Sequence, residues 1–324
     1  MSYNHVNLYI SHITPNLKGQ VVSQEDKICE RPLNDRDNCL FALYEEYDML
    51  DQGLPQRSSL TEPTLISIQA ASDLGLAAAL KLSNKEPDLF PQSSLLIYCH
   101  ETVEPSLYLT PAIKLKKELK MKRTLPFAVS QQGSAAFIGA LQTTQILWSD
   151  APPTAQQTAV IITADQLAPP QMRSSLDVYP KGDCSVACLV SSTPREGAYF
   201  IESMDIASFV LNKEATGKDL LLDAASDLLQ RAMASWGISY SELRMIIPQS
   251  FDSTLHAVLA ELSGGQTPIY RRTFAPTCNL LTSDCLVSLE EAHKREKFLV
   301  GDLILLLFVG PLHTAGVILL RKLA

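Results

Sequence analysis

Three segments of the sequence hold residues that could do chemistry, and in each an apolar run gives way to a turn of small or polar residues. In Phe127 to Phe137, Ser134 falls where a strand turns into a buried helix. A side chain there meets backbone N–H groups, which stabilise an anion or an attacking nucleophile. The same position suits a plain helix cap, for which serine is a preferred residue. In Ile246 to Asp252 the polar residue after the run is Gln249, whose amide can donate to an oxyanion but cannot take a proton. In Thr277 to Asp284 it is Asn279. Strand ends of this kind are where ligands bind in open α/β sheets. Asp284 stands at a helix start, where capping is the ordinary role.

The elements that must position these residues follow from periodicity. A helical period runs through Leu65, Ile68, Ala71, Leu74, Ala78 and Leu82, so Thr64 to Leu82 is expected to be a helix with Thr61 and Thr64 at its start. Ser94 to His100 is a strand, Pro126 to Ser130 a second, and Gly133 to Trp148 a helix. Ala159 to Ala164 and Ser185 to Val190 are buried strands. Asp219 to Trp236 is helical, Arg244 to Pro248 a strand, and Ser253 to Leu262 and Asp284 to Lys297 are helices. Asp302 to Phe308 and Ala315 to Leu320 are strands. The order helix, strand, loop, helix, strand, strand occurs twice, a coarse duplication in an α/β chain. The first sixty residues, with Pro15, Pro32, Pro55 and the acidic run Glu45 to Asp48, look irregular.

Composition bounds the function. The chain has 324 residues, 46% hydrophobic and 19% charged, enough apolar content for a sizeable core. Acidic residues number 35 against 27 basic, a net charge of −8, which argues against nucleic-acid binding. Lys114 to Arg123 holds six of the basic residues and is expected to be a solvated helix face. Seven cysteines without a repeated spacing read as free thiols in a reducing compartment. Met1 to Asn16 lacks a basic region followed by an apolar block, and Leu303 to Gly310 is far shorter than the ~20 residues of a membrane span. A soluble, cytoplasmic protein is the expectation.

Taken together, the three segments resemble the thiolase superfamily, in the branch of ketoacyl-ACP synthase III and its relatives in secondary metabolism. Ser134-Ala135-Ala136-Phe137 matches the family's Cys-Ala-Gly-Phe, with serine at the nucleophile position. Pro248 to Asp252 matches Pro-His-Gln-Ala-Asn, with Gln249 in place of the catalytic histidine. Cys278-Asn279 matches the Gly-Asn of Gly-Asn-Thr-Ser, and Asn279 lies 30 residues after Gln249, as in the family. The register continues through Leu289 to Ala292 and into Gly301 to Leu305. Gly310 to Gly316 stands where relatives have a Gly-rich loop beside the active site, and Gly182-Asp183 also matches. The likeness covers Thr64 to the end.

The resemblance implies a thiolase-like duplicated layered α-β-α-β-α fold, with an N-terminal half at 1–200 (1–60 an irregular leader) and a C-terminal half at 201–324. It also implies that ordinary condensation is impaired. The family uses a thiolate to carry the acyl group and His plus Asn to stabilise the enolate, and two of those three groups are replaced. Serine is barely ionised at neutral pH without a base. His313, in the loop matching the Gly-rich one, is a candidate base, and His256, two helical turns beyond Gln249, a weaker one. The family's carriers, acyl carrier protein or CoA, are met by arginines. Thr254 stands where relatives often have arginine, leaving Arg271-Arg272 and the Lys114 to Arg123 run.

Two functions follow from the resemblance. The first is a catalytically degenerate subunit of fatty-acid or polyketide-type secondary metabolism, completing a dimer with an active ketosynthase homologue. The second is an acyltransferase with Ser134 as nucleophile, Gln249 and Asn279 as oxyanion donors and His313 as base. Acyl carrier protein or acyl-CoA is the expected partner in either case; no cofactor, metal, nucleic acid or membrane is expected.

Overall fold

A run such as Leu303–Gly310, apolar at nearly every position, is stable as a strand only where both its faces are covered. The computed structural model covers both faces of nearly every strand of its main sheet. It describes residues 6–17, 20–22, 64–67, 69–102, 110–150, 152, 155–167, 179–208, 217–310 and 314–324. Strands β1 (Tyr9–Asn16), β2 (Gln20–Val22) and β3 (Thr64–Ile66) precede helix α1 (Ala71–Lys85) and a single turn, α2 (Leu89–Gln92). Then come β4 (Leu95–Cys99), α3 (Pro111–Glu118), β5 (Leu125–Val129), α4 (Ala136–Trp148), β6 (Thr158–Asp165), β7 (Cys184–Ser191) and β8 (Tyr199–Ser208). The chain ends with α5 (Gly217–Trp236), β9 (Leu243–Pro248), α6 (Ser253–Leu262), α7 (Asp284–Arg295), β10 (Leu303–Gly310) and β11 (Thr314–Lys322). No helix among the described residues is long and apolar enough to cross a membrane.

Nine strands form one ladder in the order β5-β4-β6-β7-β1-β8-β11-β10-β9. Read outward from the β1–β8 join, the two sides repeat each other. Strands β4 and β6 are parallel, as are β9 and β10. Strands β6 and β7, β7 and β1, β10 and β11, and β11 and β8 are all antiparallel. Where β5 pairs parallel with β4, the other side has a parallel bridge from Ile246 to Ile269. The duplication is therefore a property of the topology.

Alternate side chains of each strand go to different cores, as the two-residue period requires. Ile97, Ile161 and Val186 of the first half, and Ile247, Ile304 and Ile318 of the second, share one cluster with α4 and α7. Leu96, Val160 and Leu189 face α1 and α3. Ile246, Leu305 and Val317 face α5 and α6. The layers are thus helices, sheet, the α4/α7 layer, sheet and helices, the α-β-α-β-α arrangement expected. Each apolar side chain fully buried in this way, such as Phe137 or Ile138 on α4, contributes about 2 kcal/mol.

Four expectations are corrected. The first sixty residues are not uniformly irregular, because β1 lies at the centre of the ladder between β7 and β8. Its polar residues disguise it, yet two of them are buried and bonded: Thr14 Oγ1 donates to Ala187 O at 2.9 Å and Asn16 Nδ2 to Leu74 O at 3.3 Å. The register shift between Ser11 and Thr14 breaks its alternation further. Thr64 to Leu82 is not one helix. Thr64–Ile66 pairs antiparallel with β2, as its β-branched residues favour, and the helix starts at Ala71 with no side-chain cap. Strand β8, mixed in polarity, was not expected as a strand at all. Helix α7 ends at Arg295 rather than Lys297.

Candidate active site

Ser134 lies in a 3₁₀ turn, Gly133–Ala135, between β5 and α4. The turn needs left-handed backbone at Gln131 (φ 64°) and Gly133 (φ 52°). Two glycines of the other half admit it. A Cβ on Gly310 would stand 2.9 Å from Ser134 N, and one on Gly316 would stand 2.3 Å from Ile138 Cδ1. No side chain larger than hydrogen fits at Gly310 without moving the turn, and one at Gly316 would displace the Ile138 side chain on α4. Thr314 Oγ1 also donates to Gln132 O at 2.6 Å.

Gln249 is the first residue after β9. Its backbone N–H donates to Leu307 O at 2.8 Å, and its side-chain Oε1 accepts from Val309 N at 3.0 Å. That backbone donor fixes the amide orientation, so Nε2 faces the opposite way. It donates to Ser134 Oγ at 2.6 Å and to Asn279 Oδ1 at 2.9 Å. Asn279 Oδ1 also accepts from Leu281 N at 2.9 Å. The Asn279 backbone bridges to Lys181, accepting from Gly182 N at 2.8 Å and donating to Pro180 O at 2.9 Å. Ser134 and Gln249 have no exposed surface, and Asn279 only 2%.

A fourth residue joins them. Glu101 follows β4, and Ser134 Oγ donates to its Oε2 at 3.1 Å. The other carboxyl oxygen is 3.8 Å from Lys181 Nζ. Burial pushes the Glu101 carboxyl up to about 7, with Lys181 pulling the other way. Asp165, at the end of β6, holds this segment: its Oδ1 accepts from Glu101 N at 2.7 Å and Thr102 N at 2.8 Å. Its Oδ2 accepts from Thr282 N at 3.1 Å, beside Asn279. Sequence reasoning missed Glu101. The feature that could have found it is a carboxylate just beyond a buried strand, the same rule that singled out Ser134, Gln249 and Asn279.

Other candidates sit elsewhere or do something else. His313 lies outside the described residues. His256 is on α6 and its Nε2 is buried without a hydrogen-bond partner among the described residues. Asp284 does not cap α7. Its carboxylate accepts from Ser250 N and Leu280 N, both at 2.8 Å, and pairs with Arg272 Nη1 at 3.1 Å. Arg272 is therefore no surface cation for a carrier: it is 2% exposed and donates to the carbonyls of Phe274, Ala275 and Cys278. In the basic run, Lys114 pairs with Asp73 at 2.5 Å on α1, the solvated role expected of a helix face. The five described cysteines are buried, and burial raises the Cys188 thiol to about 12.

No protein-family model matches this sequence, and no curated protein matches it. Solved structures do match the fold, at low identity. ChlB3, titled an acyltransferase, superposes with a TM-score of 0.72 at 16% identity, covering 98% of each chain. A 3-oxoacyl-(acyl carrier protein) synthase III from Pseudomonas aeruginosa PAO1 gives 0.70 at 16% identity over 98% of this chain and 99% of that one. A variant of OleA from Xanthomonas campestris gives 0.71 at 16% identity over 99% and 100%. The fold is the thiolase-like one of these enzymes. The sheet also takes in β1, ahead of the Thr64 boundary of the sequence likeness.

Proposed function

We propose that this chain, built on the fold of the ketoacyl-ACP synthases III, is an acyltransferase that carries an acyl group on Ser134 and does not condense by decarboxylation on its own. One observation carries the reading: the Ser134 hydroxyl, at the entry to a middle-layer helix, receives the Gln249 amide at 2.6 Å, and that amide is anchored by Asn279. Gln249 Nε2 is the donor for the oxyanion that forms when Ser134 Oγ attacks an acyl carbonyl, and such a donor is worth ~10²–10³-fold in rate. Asn279 and Val309 hold that donor in place. Glutamine supplies no titrating group for enolate chemistry, which supports transfer over condensation. An acyl thioester of CoA or acyl carrier protein is the proposed donor, in soluble, cytoplasmic metabolism of fatty-acid or polyketide type.

Incubation with acyl-CoA thioesters from acetyl to dodecanoyl, followed by intact-mass measurement, tests this. A mass increase equal to the acyl group is expected on the wild type and none on Ser134→Ala. No adduct at any chain length would sink the reading.

A second reading has its own support. The full burial of Ser134 and Gln249, together with an edge strand β5 that bears Leu125 at 53% exposure, suits a non-condensing subunit completing a dimer with an active ketosynthase homologue. The halves of such a subunit would be 1–200 and 201–324.

A further inference from the structure

We infer that Glu101 is the general base that activates Ser134, forming a serine–glutamate pair in place of a cysteine–histidine one. The inference deepens the acyl-transfer reading and rests on it. Its first support is the direction of the proton. Gln249 Nε2 can only donate, so its 2.6 Å contact occupies a lone pair of Ser134 Oγ, and the hydroxyl proton must go elsewhere. Glu101 Oε2, at 3.1 Å, is where it goes. The second support is placement. Glu101 is held through its backbone by Asp165, which also holds Thr282 in the loop of Asn279, so base and donor are fixed to one support. The third is tuning. Among the described residues the charged groups facing Glu101 are Lys181 and Asp165, with His100 next in sequence turned to Thr102 O at 2.7 Å. Burial against the Lys181 charge leaves the carboxyl near 7, where a general base works best at neutral pH.

The steps balance. The Ser134 proton passes to the Glu101 carboxylate as Oγ bonds to the thioester carbonyl carbon. The tetrahedral oxyanion collapses, the C–S bond breaks, and the leaving thiolate takes the proton from Glu101. An acceptor hydroxyl, amine or water then gives its proton to Glu101 as it attacks the ester. Ser134 Oγ leaves with that proton.

Labelling of Ser134 by an alkyl fluorophosphonate, followed by mass, reads base activation without needing the natural acyl group. The wild-type rate should rise with pH to a plateau, with its midpoint near 7. Glu101→Gln, isosteric, should slow labelling by roughly 10²-fold or more and flatten the profile. Lys181→Met should keep the plateau and move the midpoint to higher pH, a change that a merely structural role would not produce. Labelling of Glu101→Gln at the wild-type rate or an unmoved midpoint in Lys181→Met would overturn the pair and leave the acyl-transfer reading standing. A wild type that takes no label overturns both.

Discussion

The Ser134 hydroxyl has two partners with fixed roles, an amide that can only donate and a carboxyl that can accept. The cost of keeping that carboxyl buried is measurable. Its ordinary value is 4.5 and burial raises it to about 7, so between those pH values the folded chain binds more protons than the unfolded one. Stability therefore falls as pH rises through that window, and the full cost is present above 7. A shift of this size corresponds to about 3 kcal/mol. Glu101→Gln should gain about that much stability relative to the wild type between pH 4 and pH 8, read as the difference in urea unfolding. A difference that does not change with pH would mean that the carboxyl stays ionised in the fold. Ser134, Gln249 and Asn279 were legible in the sequence because each follows a local pattern, an apolar run ending in a turn. Glu101 follows the same pattern, but its value lies in standing next to Ser134, and that depends on β4 and β5 being neighbours.

At the scale of elements, the site is made by strand ends and by the two 3₁₀ turns that open the middle-layer helices, Gly133–Ala135 before α4 and Leu281–Ser283 before α7. The duplication relates them. Glu101 follows β4 and Gln249 follows β9, the equivalent strands of the two halves, and both touch Ser134. The Arg272–Asp284 pair holds the second turn. Both side chains are fully buried, and Arg272 ties down the carbonyls just before Asn279. Arg272→Met would leave the Asp284 charge buried without its partner. The expected loss is about 3–5 kcal/mol in urea unfolding, with a matching fall in acylation of Ser134 because Asn279 is no longer held. A variant as stable as the wild type would show that the pair does not carry the turn. The sequence placed Asp284 at a helix start and Arg272 among available cations. The helix does start at Asp284, but its carboxylate does not cap it and Arg272 is not available to a carrier, because the two are brought together by a loop whose path has no local pattern.

At the scale of the molecule, the halves join through β1 and β8, and the ladder ends at β5 and β9. On β5, Leu125 donates to Ser94 O and Val129 accepts from His100 N, so these positions bond to β4. Pro126 and Ala128 alternate with them and face the free edge. Pro126 has no N–H, which leaves Ala128 as the edge donor on this strand. The dimer proposed in the second reading would use it. Two strands related by a twofold axis would pair through Ala128, and Ala128→Pro should convert a sedimenting dimer to monomer with little change in melting temperature. A wild type that sediments as a monomer alone and with a ketosynthase homologue would remove the subunit reading. By itself the sequence determined the buried strands, the helices that pack on them, the duplicated order and three of the four residues at the site, since periodicity and turn chemistry are local. The tertiary structure decided that β1, polar and disguised by a register shift, lies at the centre of the ladder. It also decided that two equivalent strand ends converge on one serine and that Glu101 is the acceptor of its proton. Those are relations between segments far apart in the chain, set by which strands pair and which faces pack, and no window of residues contains them.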